Sequence, residues 1–468
     1  MFKDIPVDVG IIYEGERIRK EDMHVEFGGG KVPYKFELVQ VRPPNEVTDG
    51  KIEIIGPDIK DLKEGGSYPL GIHVEVAGEK LEKDLEGVFE RQIHAYSNYI
   101  EGLMHLNQRY DIWIRLGKAS YRKGLNSFKF IGLVLQRLYK AEMGIIEKIQ
   151  IKFVTDEKKV RELYETALKI YEARDARARG LKDEDVEEFY GCVLCQSFAP
   201  THMCVIAPSR TSICGSINWF DAQAAVRVNP KGPNFKIEKG ECLDPVKGEY
   251  SGVNEKVKEK SLGEVKRVFL HSIFGNPQTS CGCFEAIAFY VPEVEGIGIV
   301  NRDFKGLTIN GLPFSTLASE TGGGRQNEGL IGIAIEYMRS PKFFQADGGW
   351  ERVVWLPANI KERVKSAIPS GLLDKIATEN DAKSIEDLKK FLKTRGHPVV
   401  SRWKVVEAPP APAAPVIQPS ATEKAVPVIE IQGALPPTVI PTEGLRIVLK
   451  GVKIHVDKLI IRKAEEKE

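Results

Sequence analysis

Six of the seven cysteines fall into two groups whose spacing could hold metal. The first reads CVLCQSFAPTHMCVIAPSRTSIC. It sets Cys192, Cys195, Cys204 and Cys214 within 23 residues, with two, eight and nine residues between successive thiols. Four thiolates, the first two in a C-x-x-C pair, can surround a cubane [4Fe–4S] cluster, whose irons take soft sulfur ligands. A tetrahedral zinc site and a set of unligated buried thiols are the other readings of that spacing. The second group is SCGCF, in which Cys281 and Cys283 flank Gly282. This spacing is too tight for an ordinary disulfide and lacks the two-residue spacer of a zinc knuckle. If the amides of Gly282 and Cys283 lose their protons, the tripeptide presents sulfur, nitrogen, nitrogen and sulfur in one plane. That donor set suits a square-planar d⁸ ion such as Ni(II). A central glycine keeps a Cβ from crowding the chelate. Alone, the tripeptide could equally be a tight turn; beside four upstream thiols the chelate becomes the stronger reading.

Composition excludes several other classes. The 67 basic and 66 acidic residues leave a net charge of +1, which gives no electrostatic ground for a nucleic-acid partner. Hydrophobic residues make up 42% and charged residues 28% of the 468, an ordinary globular balance at a length that suits roughly two or three domains. No apolar run reaches the roughly 18 residues of a membrane span, so no membrane association is expected. The first residues, MFKDIPVDVGIIYEGERI, are charged early and lack a secretory h-region, which predicts a cytoplasmic location. In a reducing cytoplasm, seven cysteines confined to positions 192–283 point to metal or thiol chemistry rather than disulfides.

Positioning these thiols falls to alternating strands and helices. The segments DVGIIYEG, YKFELVQVR and KIEIIGP are β-rich and bounded by Gly, Pro and Asp. Helices are expected from Leu81 through Asn107 and around Phe128–Gly144. Another follows Asp156 as its cap, repeats Leu163, Ala167 and Ile170 at helical spacing, and stops at Gly180. KDEDVEEFYG reads as a short helix ending at Cys192, and SIEDLKKFLKTRG as a later one. RVFLHSIF, CFEAIAFYVP and GIGIVNRDF read as buried sheet elements. The alternation predicts an α/β class, mixed α/β and α+β. Residues 1–185 form its N-terminal α/β part, and 186–400 a three-layer α/β/α domain that carries the cysteines. Residues 401–468 read as a Pro/Ala-rich flexible linker with a short terminal β segment.

The stretches CVLCQSFAPTHMCV, SRTSICGSINWFDA, KGECLDP, TSCGCFEAIAFYVP and ADGGWERVVWLP resemble the acetyl-CoA synthase family, nearest to the beta subunits of archaeal acetyl-CoA decarbonylase/synthase complexes. The likeness is dense from Gly191 to Pro357 and weaker, but continuous, back to the N-terminus. It implies a [4Fe–4S] cubane on Cys192, Cys195, Cys204 and Cys214, linked to a pair of nickel ions. Cys195 would be shared with the proximal nickel. Cys281 and Cys283 would bridge to a distal nickel, completed by the amides of Gly282 and Cys283. Phe198 would pack over the proximal nickel, although a plain core role suits it equally. The implied reaction is that of a CO-methylating acetyl-CoA synthase, an acyltransferase. It builds or cleaves acetyl-CoA from CO, CoA and a methyl group delivered by a corrinoid iron–sulfur protein.

The same resemblance implies membership of a larger complex of several subunits, those of CO dehydrogenase among them, and ferredoxin as a further partner. CoA needs cations for its phosphates. The stretch NQRYDIWIRLGKASYRKG offers Arg109 and Arg115 around Trp113, although a solvated helix face with one buried Trp is the blander reading. ETGGGRQNEG (320–329) lacks the Lys-Ser/Thr ending of a P-loop and reads as a tight loop beside the cluster. His202 reads as a hydrogen-bonding loop residue and Cys242 as a buried thiol. The sequence departs from the bacterial synthases in lacking their long N-terminal domain. The rival reading is a non-catalytic [4Fe–4S] electron-transfer or structural protein, which would leave Cys281 and Cys283 without a role.

Overall fold

In the computed structural model, residues 1–403 are described. The expected linker and terminal β segment lie, from residue 404 on, outside the described residues. The mixed α/β class is found, with parallel and antiparallel strand pairs in the same sheets. In the first half, Lys35–Val41, Leu70–Ala77, Lys148–Val154 and Ile52–Ile55 are neighbours in that order. The inner strands, LGIHVEVA and KIQIKFV, alternate apolar residues with polar ones, so one face of the sheet packs as core while the other carries His73, Glu75, Gln150 and Lys152. A second sheet orders Ser67–Tyr68, Met23–Gly28, Trp113–Gly117 and Leu103–Leu106.

In the second half, Glu188–Cys192 is the centre of an antiparallel sheet, between Cys204–Ile206 and Asn234–Glu238. The other large sheet sets Ala286–Val291 between Leu330–Ile333 and Gly296–Asn301, with Val353–Trp355 parallel to the last of these. The two halves interlock. Val88 packs into the core of the second half, and Ala224 into the core of the first. Among the described residues no helix is long and apolar enough to cross a membrane.

Between the halves lies helix α1, Glu86–Ser97, buried along its whole length. A helix buried on every side is stable only if its polar residues find partners inside. Glu86 and Glu90 do so through the helix Glu157–Arg179, whose first turn is capped by Asp156 accepting from the Lys159 N–H. From that helix Arg174 donates through Nε to Glu86 Oε2 at 3.1 Å and through Nη1 to Glu90 Oε1 at 2.8 Å. Its Nη2 donates to the Val39 carbonyl at 2.9 Å, so one guanidinium ties helix, helix and sheet together.

The structure revises several local expectations. The span 81–107 is not one helix: α1 ends at Ser97, Gly102 turns the chain at φ +73°, and Leu103–Leu106 is a strand. Asn98 makes this break by donating to both the His94 and the His105 carbonyls, at 2.9 and 2.8 Å. KDEDVEEFYG is not a helix either; a 3₁₀ turn at Asp183–Asp185 leads into the strand Glu188–Cys192, which sheet neighbours claim on both edges. The basic stretch around Trp113 is a strand, Trp113–Gly117, followed by the short helix Lys118–Arg122. RVFLHSIF is buried but irregular; its Leu270 carbonyl accepts from the buried Arg210.

Arg174→Met would leave the Glu86 and Glu90 carboxylates buried and without their cation. Loss of one partner of a buried pair costs about 3–5 kcal/mol. Urea unfolding of the apo-protein should show a loss of that size, and an unchanged midpoint would remove this network from the account of α1.

Candidate metal centre

Each cysteine of the first group is fixed by a different local device. Cys192 ends a strand, and antiparallel pairing sets it directly opposite Cys204 on one side and Asn234 on the other. Cys195 follows in a tight turn, its carbonyl accepting from the Ala199 N–H at 3.0 Å. Cys214 sits in a loop where its Sγ lies 3.2 Å from Ser212 Oγ, just before the helix Trp219–Val228. That helix starts with a reciprocal cap between Asn218 and Asp221, which fixes where the loop must end. Cys281 and Cys283 precede the strand Ala286–Val291. The Cys283 N–H donates to Cys281 Sγ at 3.3 Å, so the tripeptide curls back upon its own sulfur.

All six are buried in one core, and Cys242, expected to be a buried thiol, is exposed instead. The sulfurs of Cys195, Cys281 and Cys283 lie within 4.8 Å of one another, close enough to share one ion. Cys192, Cys204 and Cys214 lie in the same buried core, outside that close trio. Burial and the neighbouring thiols push Cys192 up to about 12 and Cys204 upward as well. Within the trio the shifts diverge. Hydrogen bonds from Cys281 and Cys283 hold Cys195 well below the usual thiol range, with the Arg91 charge adding to the effect. Cys281 is pushed up, and Cys283 rises to about 12, because each donates to the Cys195 sulfur.

Two side chains that sequence reading did not single out reach this site from α1. Arg91 Nη2 donates to Cys195 Sγ at 3.1 Å, and His94 Nε2 lies 3.6 Å from Cys283 Sγ. Their spacing, i and i+3, puts them on one helix face. Behind His94, its Nδ1 is 3.1 Å from His105 Nδ1, and His105 Nε2 is 2.9 Å from Glu37 Oε2, all in the interior. His202 is the expected hydrogen-bonding loop residue, with Thr279 Oγ1 at 3.0 Å; its Nε2 also lies 3.2 Å from Cys204 Sγ. Burial lowers it to about 4, so it stays neutral.

The residues present fit a sulfur-bound metal group. Arg91 is 1% exposed, its Nη1 has no hydrogen-bond partner, and it pairs with no carboxylate among the described residues. A guanidinium without a counter-charge is costly to bury, and the thiolates are the anions at hand. The donor set is all sulfur, with two backbone amides between Cys281 and Cys283, which selects soft or square-planar metals over hard ones.

The setting of Gly282 differs from expectation. A Cβ there would meet only Phe198 Cε2, at 4.0 Å, an ordinary contact, so bulk is not what glycine avoids in this form. The same distance places the ring edge of half-buried Phe198 beside the tripeptide. The constrained glycines are in the loop 320–329, which is indeed a tight loop at the site. Gly323 N–H donates to the Cys281 carbonyl and Gly324 N–H to the Ser280 carbonyl, both at 2.8 Å. A Cβ on Gly322 would come within 2.6 Å of that Cys281 oxygen.

The three residues expected at CoA do not act as one group. Arg109 is buried; its Nη1 donates to Asp175 at 2.8 Å and its Nη2 to the Ser216 carbonyl at 3.3 Å, which turns it inward rather than toward a phosphate. Arg115 stacks 4.6 Å over the Trp113 ring, and both donate to Glu26 Oε2 at 2.8 Å. A cavity of about 270 Å³ beside Gly215 is lined by Arg109, Tyr110, Asp175, Glu285 and Arg363, among others, and by no cysteine.

Two family models match the chain. Residues 5–160 match the family described as the beta subunit of the CO dehydrogenase/acetyl-CoA synthase complex. Residues 171–406 match the family described as the C-terminal part of the ACS/CODH beta subunit. The chain is 52% identical to the acetyl-CoA decarbonylase/synthase complex subunit beta of Methanopyrus kandleri, over 99% of this chain and 98% of that one. It is 52% identical to the subunit beta of Methanothermobacter thermautotrophicus, over 99% and 100%. It is 53% identical to the subunit beta 2 of Methanocaldococcus jannaschii, over 99% and 98%.

Gly322→Ala must displace the Cys281 carbonyl, and loss of such support around ligands weakens metal binding by roughly 10–100-fold. Titration of the apo-protein with Ni(II) should show that loss, whereas Gly282→Ala should bind nearly as the parent does. Equal affinities for the parent and Gly322→Ala would show that the loop does not hold the tripeptide.

Proposed function

The chain belongs to the beta-subunit family of CO dehydrogenase/acetyl-CoA synthase complexes, and from that premise we propose that it is the subunit in which acetyl-CoA is assembled or cleaved on a nickel–iron–sulfur centre. The observation that carries the proposal is the convergence of the Cys195, Cys281 and Cys283 sulfurs within 4.8 Å, beside the three further buried thiols. Cys192, Cys195, Cys204 and Cys214 would hold a [4Fe–4S] cluster. Cys281 and Cys283, with the amides of Gly282 and Cys283, would hold one nickel, and the Cys195, Cys281 and Cys283 sulfurs a second. When bound, the centre supplies an electron-rich, thiolate-ligated metal at which CO, a methyl group and an acyl group can be exchanged.

The chain's own residues prepare that chemistry. Burial of all six thiols keeps water from the metals. Phe198, beside the tripeptide, limits the room there, which favours ligands as small as CO and methyl. Arg91 and His94 hold two of the sulfurs from the opposite half, so the ligand positions are set before substrate arrives. For CoA, the Trp113–Arg115 stack remains our candidate, because both residues are half-buried rather than enclosed. Arg109 is no longer a candidate, since its Nη donors serve Asp175 and Ser216.

The reaction type is that of a CO-methylating acyltransferase. The partners we propose are CO dehydrogenase subunits, a corrinoid iron–sulfur protein as methyl donor, and ferredoxin. Free cysteines buried around a metal centre suit the reducing cytoplasm, where we place the protein. A purely electron-transferring [4Fe–4S] protein needs four thiolates and would give Cys281 and Cys283 no partner, and here they converge on Cys195.

Anaerobic reconstitution with iron, sulfide and nickel should load about four Fe and two Ni per chain and give CO/acetyl-CoA exchange. Cys281→Ser should keep the iron, lose nickel and abolish exchange. Iron uptake without nickel, and no exchange in the parent protein, would sink the proposal.

A further inference from the structure

Every other strongly buried arginine tied into α1 has a carboxylate to answer it. Arg174 holds Glu86 and Glu90, and Arg109 holds Asp175 at 2.8 Å with Glu90 at 3.6 Å. Arg91 does not. It is on the same helix, equally enclosed, and its one hydrogen bond runs to sulfur. Its Nη1 is left without a partner in the interior. The charges that bear on it most are those of Cys195, Cys283 and Cys214, two ligands of the trio and one of the outer set. Glu14 and Glu37 feel its charge from farther off, outside ion-pair range.

We propose that Arg91 is a positioning residue that sets the electron affinity of the metal centre, by holding an uncompensated positive charge and an N–H donor against the sulfur of Cys195. The inference rests on the functional reading above, in which Cys195 is the thiolate shared between the iron cluster and nickel. An N–H donated to a thiolate withdraws electron density from the metals on that sulfur. A fixed cation beside an anionic cluster favours the state with one more electron. Both effects raise the reduction potential, and hydrogen bonds to sulfur and net charge are established controls on such clusters. The guanidinium performs this at any working pH because it never loses its proton. Buried Arg210 and half-buried Arg302 of the second half feel the charges of Cys204 and Cys283, but the direct guanidinium bond to the Cys195 sulfur comes from α1.

The test uses full-length protein reconstituted anaerobically with iron, sulfide and nickel, and a dye-mediated redox titration followed by EPR. Arg91→Gln and Arg91→Met should load iron as the parent does and show a potential more negative by about 59 mV or more, equivalent to a tenfold change in the one-electron equilibrium. Arg91→Lys, which keeps the charge but not the planar fork, should shift the same way by less. Gln92→Leu alters the neighbouring buried position on α1 and should leave the potential where it is. If the neutral variants fail to fold, Arg91→Lys alone decides, and a potential equal to the parent's overturns the proposal. Neutral variants that load iron and titrate like the parent overturn it too. A parent protein that takes up iron but no nickel defeats the functional reading while leaving the Arg91 comparison intact. One that takes up no iron defeats both.

Discussion

The guanidinium of Arg91 against the sulfur of Cys195 is the contact by which the first half reaches the cysteine cluster, and it constrains the elements around α1. To place a permanent cation there, the first half must send a helix through the interface, and that helix must be buried on all sides. A helix so placed cannot leave Glu86 or Glu90 unanswered, so the Glu157–Arg179 helix supplies Arg174 to both. Arg109 then closes the same network from the loop before Trp113, through Asp175 and the carbonyl of Ser216, two residues past Cys214. The chain of contacts from sheet to sulfur is continuous. Hydrogen bonds link Val39 and Arg174, through Glu86 and Glu90, to the helix that carries Arg91 to Cys195.

On the other side of the site the support comes from backbone rather than charge. The 320–329 loop binds the carbonyls of Ser280 and Cys281 with consecutive N–H groups, which is why glycine is needed at Gly322: there the loop touches the tripeptide directly. The site is thus held by side-chain donors on the sulfurs and by main-chain donors on the carbonyls. Within the tripeptide the Cys283 amide turns toward the Cys281 sulfur.

What could be read from the sequence follows from how local each feature is. Cysteine spacing is local, so the two cysteine groups that the fold buries in one core could be picked out from the chain alone; the Glu157–Arg179 helix carries its own cap and stop and emerges as expected. Arg91 and His94 could not be found that way. In a single sequence, a lone Arg and a lone His in GVFERQIHAYS look like one solvated helix face, and only the tertiary fold shows that this face meets sulfur. The one available signal was the density of polar residues in a stretch with no clear apolar stripe. Arg109 misled for the same reason, since a cation beside an aromatic reads alike whether it faces a phosphate or a buried Asp. The strand before Cys192 was missed because KDEDVEEFYG has helix-favouring residues, and pairing on both edges overrides that preference.

The interlocking of α1 with the metal-binding half also fixes an order in time. Arg91 is synthesised 104 residues before the Cys195 it holds, and His94 189 residues before Cys283. At about 5–20 residues per second, those gaps are roughly 5–20 s and 10–40 s. During that interval the nascent first half carries a guanidinium whose one hydrogen-bond partner, the Cys195 sulfur, does not yet exist. The contacts that α1 makes through Val88 and Arg91 with the second half can form only after that half has been made. The cysteine cluster likewise gains the backbone donors of Gly323 and Gly324 only once the chain has reached the loop at 320–329.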